Sequence, residues 1–427
     1  MAQAQACNQS KILNLEALEP PGGGEWATRA RNSALERLQQ MGLPGRRDEY
    51  WKYTRPDTLI QTKPPKAALH KSDSSMFDGI EKIRMVFVDG IYDSDASDSL
   101  DGEGITIERL SKVTEKDSHW AKNVYGVLEG GSHAPVKRPL AALNTAMATD
   151  GAVICVTGRP SKPVHMIYVH KSVTSDAILN HVIRLEEGSS LTFLETGPAA
   201  ARFNKTIEVD VGDNAEFHHI RIQGRDHERR AATHTFARLG ENSSFKSFSL
   251  TVNGILTRNE CVVELTGSNG VAHVAGACVG DGDFHHDDTV FITHDAENCE
   301  SRQVFKKVLR GGAKGVFQGK ILVREGAQKT DGYQISQSLL LSDDCEFNAK
   351  PELEIYADDV ACSHGSTSGA IDEDSLFYLR ARGVPLEIAT DLLTLAFLAE
   401  AVDEVEDERL KGEINALLTD WLERRRA

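Results

Sequence analysis

Gly188-Ser-Ser-Leu-Thr-Phe193, Gly212-Asp-Asn-Ala-Glu-Phe217, Gly240-Glu-Asn-Ser-Ser-Phe245 and Gly312-Ala-Lys-Gly-Val-Phe317 each set a Phe five residues after a Gly. Gly267-Ser-Asn-Gly-Val-Ala272 is a weaker copy, with Ala in the Phe position. Successive copies start 24, 28, 27 and 45 residues apart, the last step close to two units. A period in the twenties, made of short strands and a turn residue, is what a β-solenoid produces. In this reading each coil turns at Gly, where positive φ costs little, and sends one Phe into a shared stack. A β-sandwich of regular hairpins is the rival. It is disfavoured because hairpin signals are few, Asn253-Gly254 and Asn269-Gly270 being the exceptions.

Outward from the repeats, the same zone holds Ile83-Arg-Met-Val-Phe-Val88, Val153-Ile-Cys-Val156, Met166-Ile-Tyr-Val169, His181-Val-Ile-Arg-Leu185 and Ile207-Glu-Val-Asp-Val211. These short β-branched runs, bounded by turn formers, read as strands. Residues 81–371 are therefore expected to form the solenoid core. Residues 1–80 read as a helical domain and linker. Trp26, Ala30, Ala34 and Leu38 share one helical face, Gly42 and Pro44 stop the helix, and a Pro/Lys stretch, 63–66, follows. Residues 372–427 read as three short helices. Asp372 caps the first, Pro385 opens the second ahead of Leu386, Ala389, Leu392, Leu393 and Ala396, and Leu410, Ile414, Leu417, Leu418 and Trp421 line the third before Arg424–Arg426. Too small for a large core of their own, they are expected to cap the coil end, bind a partner, or both.

Composition narrows the function. Of 427 residues, 64 are acidic and 48 basic, a net charge of −16 that repels nucleic-acid backbones and anionic lipid. No apolar run approaches the roughly 18 residues of a membrane span. Met1–Ser10 has neither a charged nor an apolar segment of a secretory signal, so a cytoplasmic location is expected. The seven cysteines include no Cys-x-x-Cys, so no zinc-finger or ferredoxin pattern is present. Reduced thiols are expected. Metal ligands, if any, must come from distant segments or another subunit.

Nucleotide and nucleophile motifs fail. Gly319-Lys320 is followed by Ile321, Gly280-Asp-Gly282 lacks a third glycine, and Gly365-Ser-Thr-Ser-Gly369 has its serines out of register for a nucleophile elbow. In the pairs His218-His219 and His285-His286 the neighbours point to opposite faces of a strand, so neither pair readily holds one ion. His285, Asp287 and His294 stay open as a metal-hydrolase set. The most informative stretch is Pro351-Glu-Leu-Glu-Ile-Tyr-Ala-Asp-Asp-Val-Ala-Cys-Ser-His-Gly365. Cys362 and His364 are i and i+2, so an extended chain puts both on one face, about 7 Å apart. A thiol beside an imidazole suits soft or borderline metals and iron–sulfur units. A buried Cys next to a turn His is the equally open alternative.

Gln334-Ile-Ser-Gln-Ser-Leu-Leu-Leu-Ser342, Lys350-Pro-Glu-Leu-Glu-Ile-Tyr-Ala-Asp-Asp-Val360, Cys362-Ser-His-Gly365 and Leu376-Phe-Tyr-Leu-Arg-Ala-Arg-Gly383 together resemble the SufB/SufD family of iron–sulfur cluster assembly proteins. Ser301-Arg-Gln-Val-Phe-Lys306 and Gly315-Val-Phe-Gln-Gly319 are similar too, and Trp51-Lys-Tyr-Thr54 points to the SufD branch. Ser366 departs from the family's usual Ala. The resemblance covers nearly the whole chain. It implies a mainly β protein, a right-handed parallel β-helix between helical ends, acting as a non-catalytic subunit of a SufBCD complex. It further implies pairing with a SufB-type subunit through the β-helix ends and docking of a SufC-type ATPase on the C-terminal helices, which agrees with the missing phosphate loop. A transient cluster shared between subunits would take His364 from this chain, with Cys362 beside it. Reduced flavin accompanies some family complexes; no residue here locates it. A SufB-type scaffold, a β-helix carbohydrate-active enzyme, and a homodimer of the isolated chain remain as alternatives.

Overall fold

The computed structural model describes residues 12–69, 76–132, 136–223 and 228–424. The readings of Met1–Ser10 and of Arg425 and Arg426 lie outside them, as does Cys7. The chain winds into a parallel β-solenoid of about seven coils. Each coil gives one strand to each of two sheets, which number ten strands apiece once the two-residue strands Ile91–Tyr92 and Asp101–Gly102 at their N-terminal ends are included. Sheet 1 runs from Ile83–Val88 through Val164–Val169, Ser190–Thr196, Glu216–Gln223, Ser244–Val252, Val271–Asp281, Glu300–Arg310 and Thr330–Leu340 to Val360–Gly369. Sheet 2 runs from Ile105–Arg109 through Ala152–Val156, Asp176–Leu185, Arg202–Val211, Arg230–Leu239, Leu256–Leu265, His285–His294 and Lys314–Val323 to Glu346–Ile355. Pairing along the coils is parallel; antiparallel pairs occur only at the N-terminal end.

The repeat corresponds to coils, with two corrections. Phe217 and Phe245 sit directly opposite one another, their ring centroids 5.7 Å apart. Phe193 is two residues out of step: it faces His219, and Leu191 faces Phe217. Its ring still stacks near Phe217, at 6.2 Å. Phe317 belongs to sheet 2, so the 45-residue step is one and a half coils rather than two. It meets Phe305 of sheet 1 across the interior, at 4.9 Å.

The turns also differ from expectation. Of the repeat glycines, Gly188 and Gly312 have positive φ, while Gly212, Gly240 and Gly267 do not. In those coils the left-handed residue is the Asn two positions later, Asn214, Asn242 and Asn269, and Asn298 and Lys329 continue the series. Asn tolerates this region better than other L residues because its short polar side chain bonds locally. The turns stack on one another: the amide of Asn242 donates to Ser268 O at 2.9 Å and that of Asn269 to Glu297 O at 3.0 Å, while Asn269 Nδ2 reaches Asn242 Oδ1 at 2.9 Å. Gly267 is needed for space, since a Cβ there would overlap the backbone of Gly240 and Glu241 in the preceding coil.

Helices cover both outer faces. Glu25–Met41 and Pro139–Met147 pack on sheet 2, where Leu38, Trp51, Leu59, Ile60, Leu140 and Leu143 meet Ala232 and Leu256. Leu386–Val402 and Glu408–Arg424 lie on sheet 1. There Leu398, Ala401, Leu410, Ile414, Leu418 and Trp421 bury against Ile220, Phe248, Leu250, Ala275 and Val304. The C-terminal helices thus flank the solenoid instead of capping it, because the outward residues of these strands are themselves apolar. The end formed by Glu346–Ile355 and Val360–Gly369 is left as the last strand of each sheet. No helix among the described residues is long and apolar enough to cross a membrane.

Coil stacking through Gly267 is testable. Gly267→Ala forces backbone apart and should lower stability by about 1–3 kcal/mol. Gly326→Ala, with nothing within 4 Å of the added Cβ, should stay within about 0.5 kcal/mol of the parent. Urea midpoints measure both, and equal midpoints would remove the close-approach argument.

Candidate functional site

The two candidate donors from the sequence, Cys362 and His364, both lie on the last strand of sheet 1. Val360–Gly369 pairs in parallel with Thr330–Leu340, so Cys362 stands opposite Gly332 and His364 opposite Gln334. Strand alternation puts Cys362, His364, Ser366 and Ser368 in one register. That register faces inward, since Cys362 packs with Ile321, Leu353 and Ala357 at the mouth of the solenoid. Gly332 makes room for the thiol: a Cβ there would sit 3.2 Å from Cys362 Sγ. Ser336 Oγ donates to Ser366 Oγ at 3.2 Å and Ser338 Oγ to Ser368 Oγ at 2.9 Å, locking the strand's second half. Cys362 is half-buried and His364 exposed. Burial pushes the Cys362 thiol above its usual range, so it is protonated at neutral pH in the isolated chain.

The other histidines go elsewhere. His219 points inward, where Nε2 meets Glu195 at 2.8 Å, and His218 lies on the opposite face. His285 and Asp287 lie on the outer face, both held by Thr54: 3.0 Å to His285 Nε2 and 2.5 Å to Asp287 Oδ2. His294 is inside, bonded to Ser301 at 2.8 Å, so the His285–Asp287–His294 set does not form. Among the described residues no group of three or more His, Cys, Asp or Glu could hold a metal ion. Cys155, Cys261, Cys278, Cys299, Cys345 and Cys362 are all unbridged. Burial pushes the Cys261 and Cys278 thiols up to about 12, making them inert packing groups. Cys362 and His364 thus form a pair of candidate donors, a thiol and an imidazole, on an edge strand. Two donors fall short of the four a tetrahedral soft-metal site takes, so the rest must come from outside this set.

Sequence reasoning missed how the Trp51-Lys-Tyr-Thr54 region supports this end. Arg258 lies 4.2 Å over the Trp51 ring and donates to Tyr50 O at 2.8 Å. Tyr50 Oη donates to Glu352 at 2.8 Å on the last strand of sheet 2. A buried ionic cluster inside the early coils, Glu195 with Lys205, His219 and Tyr168, was equally invisible. Desolvation alone would raise the Glu195 carboxyl, yet Lys205, His219 and Arg221 hold it well below the usual carboxylate range. Each of these groups meets partners far away in sequence, so no local spacing reveals them.

Residues 168–397 match the family model described as SUF system FeS cluster assembly, SufBD core domain, and residues 24–161 match the SufBD protein N-terminal region. The chain is 29% identical over 395 residues to the iron-sulfur cluster assembly protein SufD of Escherichia coli, covering 90% of each. An iron-sulfur cluster assembly SufBD family protein of Synechocystis is 26% identical over 410 residues, covering 90% of this chain and 88% of that one. The Bacillus subtilis SufD is 30% identical over 293 residues, 65% of this chain and 66% of that protein.

The raised thiol gives a pH test. Alkylation of Cys362 by iodoacetamide should be slow at neutral pH. Its rate should still climb above about pH 8.5, where an ordinary thiol is half ionised. Peptide mass spectrometry across pH reads the rate, and a rate at half of its maximum near that pH would show an unperturbed thiol.

Proposed function

Since the chain belongs to the SufBD family of iron–sulfur cluster assembly proteins and is SufD-like, we propose that it is a non-catalytic scaffold subunit whose terminal coil completes a cluster site with a SufB-type partner. The observation that carries this is the Cys362–His364 pair on the last strand of sheet 1. An edge strand leaves one row of backbone N–H and C=O groups for another chain to pair with. A partner that adds its own strands there brings its donors beside these two. The nascent cluster is cargo in this scheme, held by a mixed thiolate and imidazole set. Such a set is more labile than four thiolates, which suits a scaffold that must release its product. Partner binding also supplies what the Cys362 thiol lacks, since a metal in contact draws off its proton.

The ATPase has a separate surface in this reading. Phe377 and Tyr378 on the helix Glu373–Ala381, and Leu386, Ile388 and Leu392 on Leu386–Val402, are exposed, from 39% to 74%. On Leu386–Val402, Leu398, Ala401 and Val402 are buried against sheet 1, so this helix is anchored on one face and apolar on the other. An apolar face of this kind on a fixed helix is the form a protein docking surface takes.

Two experiments test the two surfaces. His364→Ala removes an exposed ring and should cost no more than about 1 kcal/mol of stability. In the co-expressed complex it should leave subunit association intact and sharply lower iron and sulfide content. Full cluster content would end the assignment of His364. Leu386→Lys with Leu392→Lys should abolish capture of the ATPase while leaving the melting temperature of the isolated chain unchanged. Undiminished capture would place the ATPase elsewhere.

A further inference from the structure

Gln334 stands in register with His364, one strand inward from the open end, and is fully buried. Its Nε2 donates to Gln303 Oε1 at 2.8 Å, toward the Glu300–Arg310 strand on the side away from His364. The amide is planar, so with Nε2 turned that way Oε1 points away from Gln303. That Oε1 is sealed from solvent and has no hydrogen-bond partner among the described residues. A buried carbonyl oxygen without a donor is an unfilled acceptor. The nearby hydroxyl of Ser336 is already committed to Ser366. Gln303 Nε2, on the inner side, is likewise buried without a partner, and His364, about 4.8 Å away strand to strand, carries the side-chain donor in register on the open side.

The amide cannot easily turn away. Gly319 leaves the space it occupies, because a Cβ at that position would overlap the Gln334 amide. Gln303, itself fully buried, holds the other end. Ser301–Lys306, Gly315–Gly319 and Gln334–Ser342 thus converge on one side-chain amide beneath His364.

We propose that Gln334 is a positioning residue for His364: the exposed imidazole, which makes no hydrogen bond to Gln334 in this structure, turns to donate its N–H to the side-chain carbonyl, and this fixes which ring nitrogen keeps its lone pair. The fixed N–H lies on the Gln334 side, and the free lone pair points out of the solenoid mouth toward the incoming iron. Metal-binding imidazoles depend on such a partner to set tautomer and ring orientation. The consequence for cluster assembly rests on His364 being a donor; the hydrogen bond itself does not.

The test reads the imidazole directly, without iron. The full chain is labelled with 15N-histidine, and His364 is identified by the signals lost in His364→Ala. Long-range 1H–15N spectra of the unsubstituted chain should show His364 as a single tautomer. The tautomer mixture that water gives a free imidazole would overturn the proposal, with no variant required. In Gln334→Met, which keeps the volume and removes the acceptor, the single tautomer should give way to that mixture, whereas Gln334→Glu, which keeps an acceptor, should restore it. An unchanged spectrum in Gln334→Met would also overturn the proposal. Normal cluster yield in His364→Ala would instead defeat the donor assignment and leave the tautomer result standing.

Discussion

Parallel ladder hydrogen bonds tie each coil to the next, residue opposite residue, from Glu216–Gln223 to Val360–Gly369. Side chains in such a ladder form columns, and each column keeps one character only while the register holds. One column runs Phe217, Phe245, Ala272, Ser301, Gly332, Cys362; its neighbour runs His219, Ser247, Val274, Gln303, Gln334, His364. A slip of one residue anywhere would turn the rest of that strand inside out. Glu195 and Lys205 would then leave each other, and Cys362 and His364 would face outward. Buried charges make that slip expensive, because an unpaired ion inside the solenoid keeps its desolvation penalty and loses its partner.

The turns enforce the same register from the corners. A left-handed residue recurs at Asn214, Asn242, Asn269, Asn298 and Lys329, and each of these amides bonds to the corner of the next coil. Lys329 is the exception in chemistry, a residue with no local side-chain compensation for this conformation. It sits on the corner that leads into Thr330–Leu340, next to the last coil, where its amide is held by Asp359 O at 2.5 Å.

Local spacing carried the coil, the opposite faces of His218 and His219, and the shared face of Cys362 and His364. Each follows from a period of two inside a longer repeat. What spacing could not carry was which sheet a strand joins. Strands of both sheets alternate alike, so Phe317 could not be told from a sheet 1 residue. Nor could it show where the helices rest. Ile220, Ile222, Phe248 and Leu250 are buried on the outer face, and a strand covered on both faces loses the polar alternation that would mark the outside. The left-handed turns were read at Gly because Gly adopts them most cheaply; the glycines at 212, 240 and 267 answer a steric demand from the neighbouring coil instead. Gln334 carries no local signature of its surroundings, because Gln303, Gly319 and His364 lie 31, 15 and 30 residues away.

The composition of the last strand bears on how its edge is used. Exposed edges invite indiscriminate pairing, and long apolar ones aggregate. Val360-Ala-Cys-Ser-His-Gly-Ser-Thr-Ser-Gly369 is almost free of large apolar side chains after Val360. Its ladder groups remain available while its side chains offer little non-specific adhesion. Any strand that paired there would draw its affinity from backbone hydrogen bonds and its specificity from a matching register. A polar, small-residue edge therefore separates two properties that usually go together: the ladder groups of Val360–Gly369 stay open to pairing, while few apolar side chains are offered for non-specific adhesion.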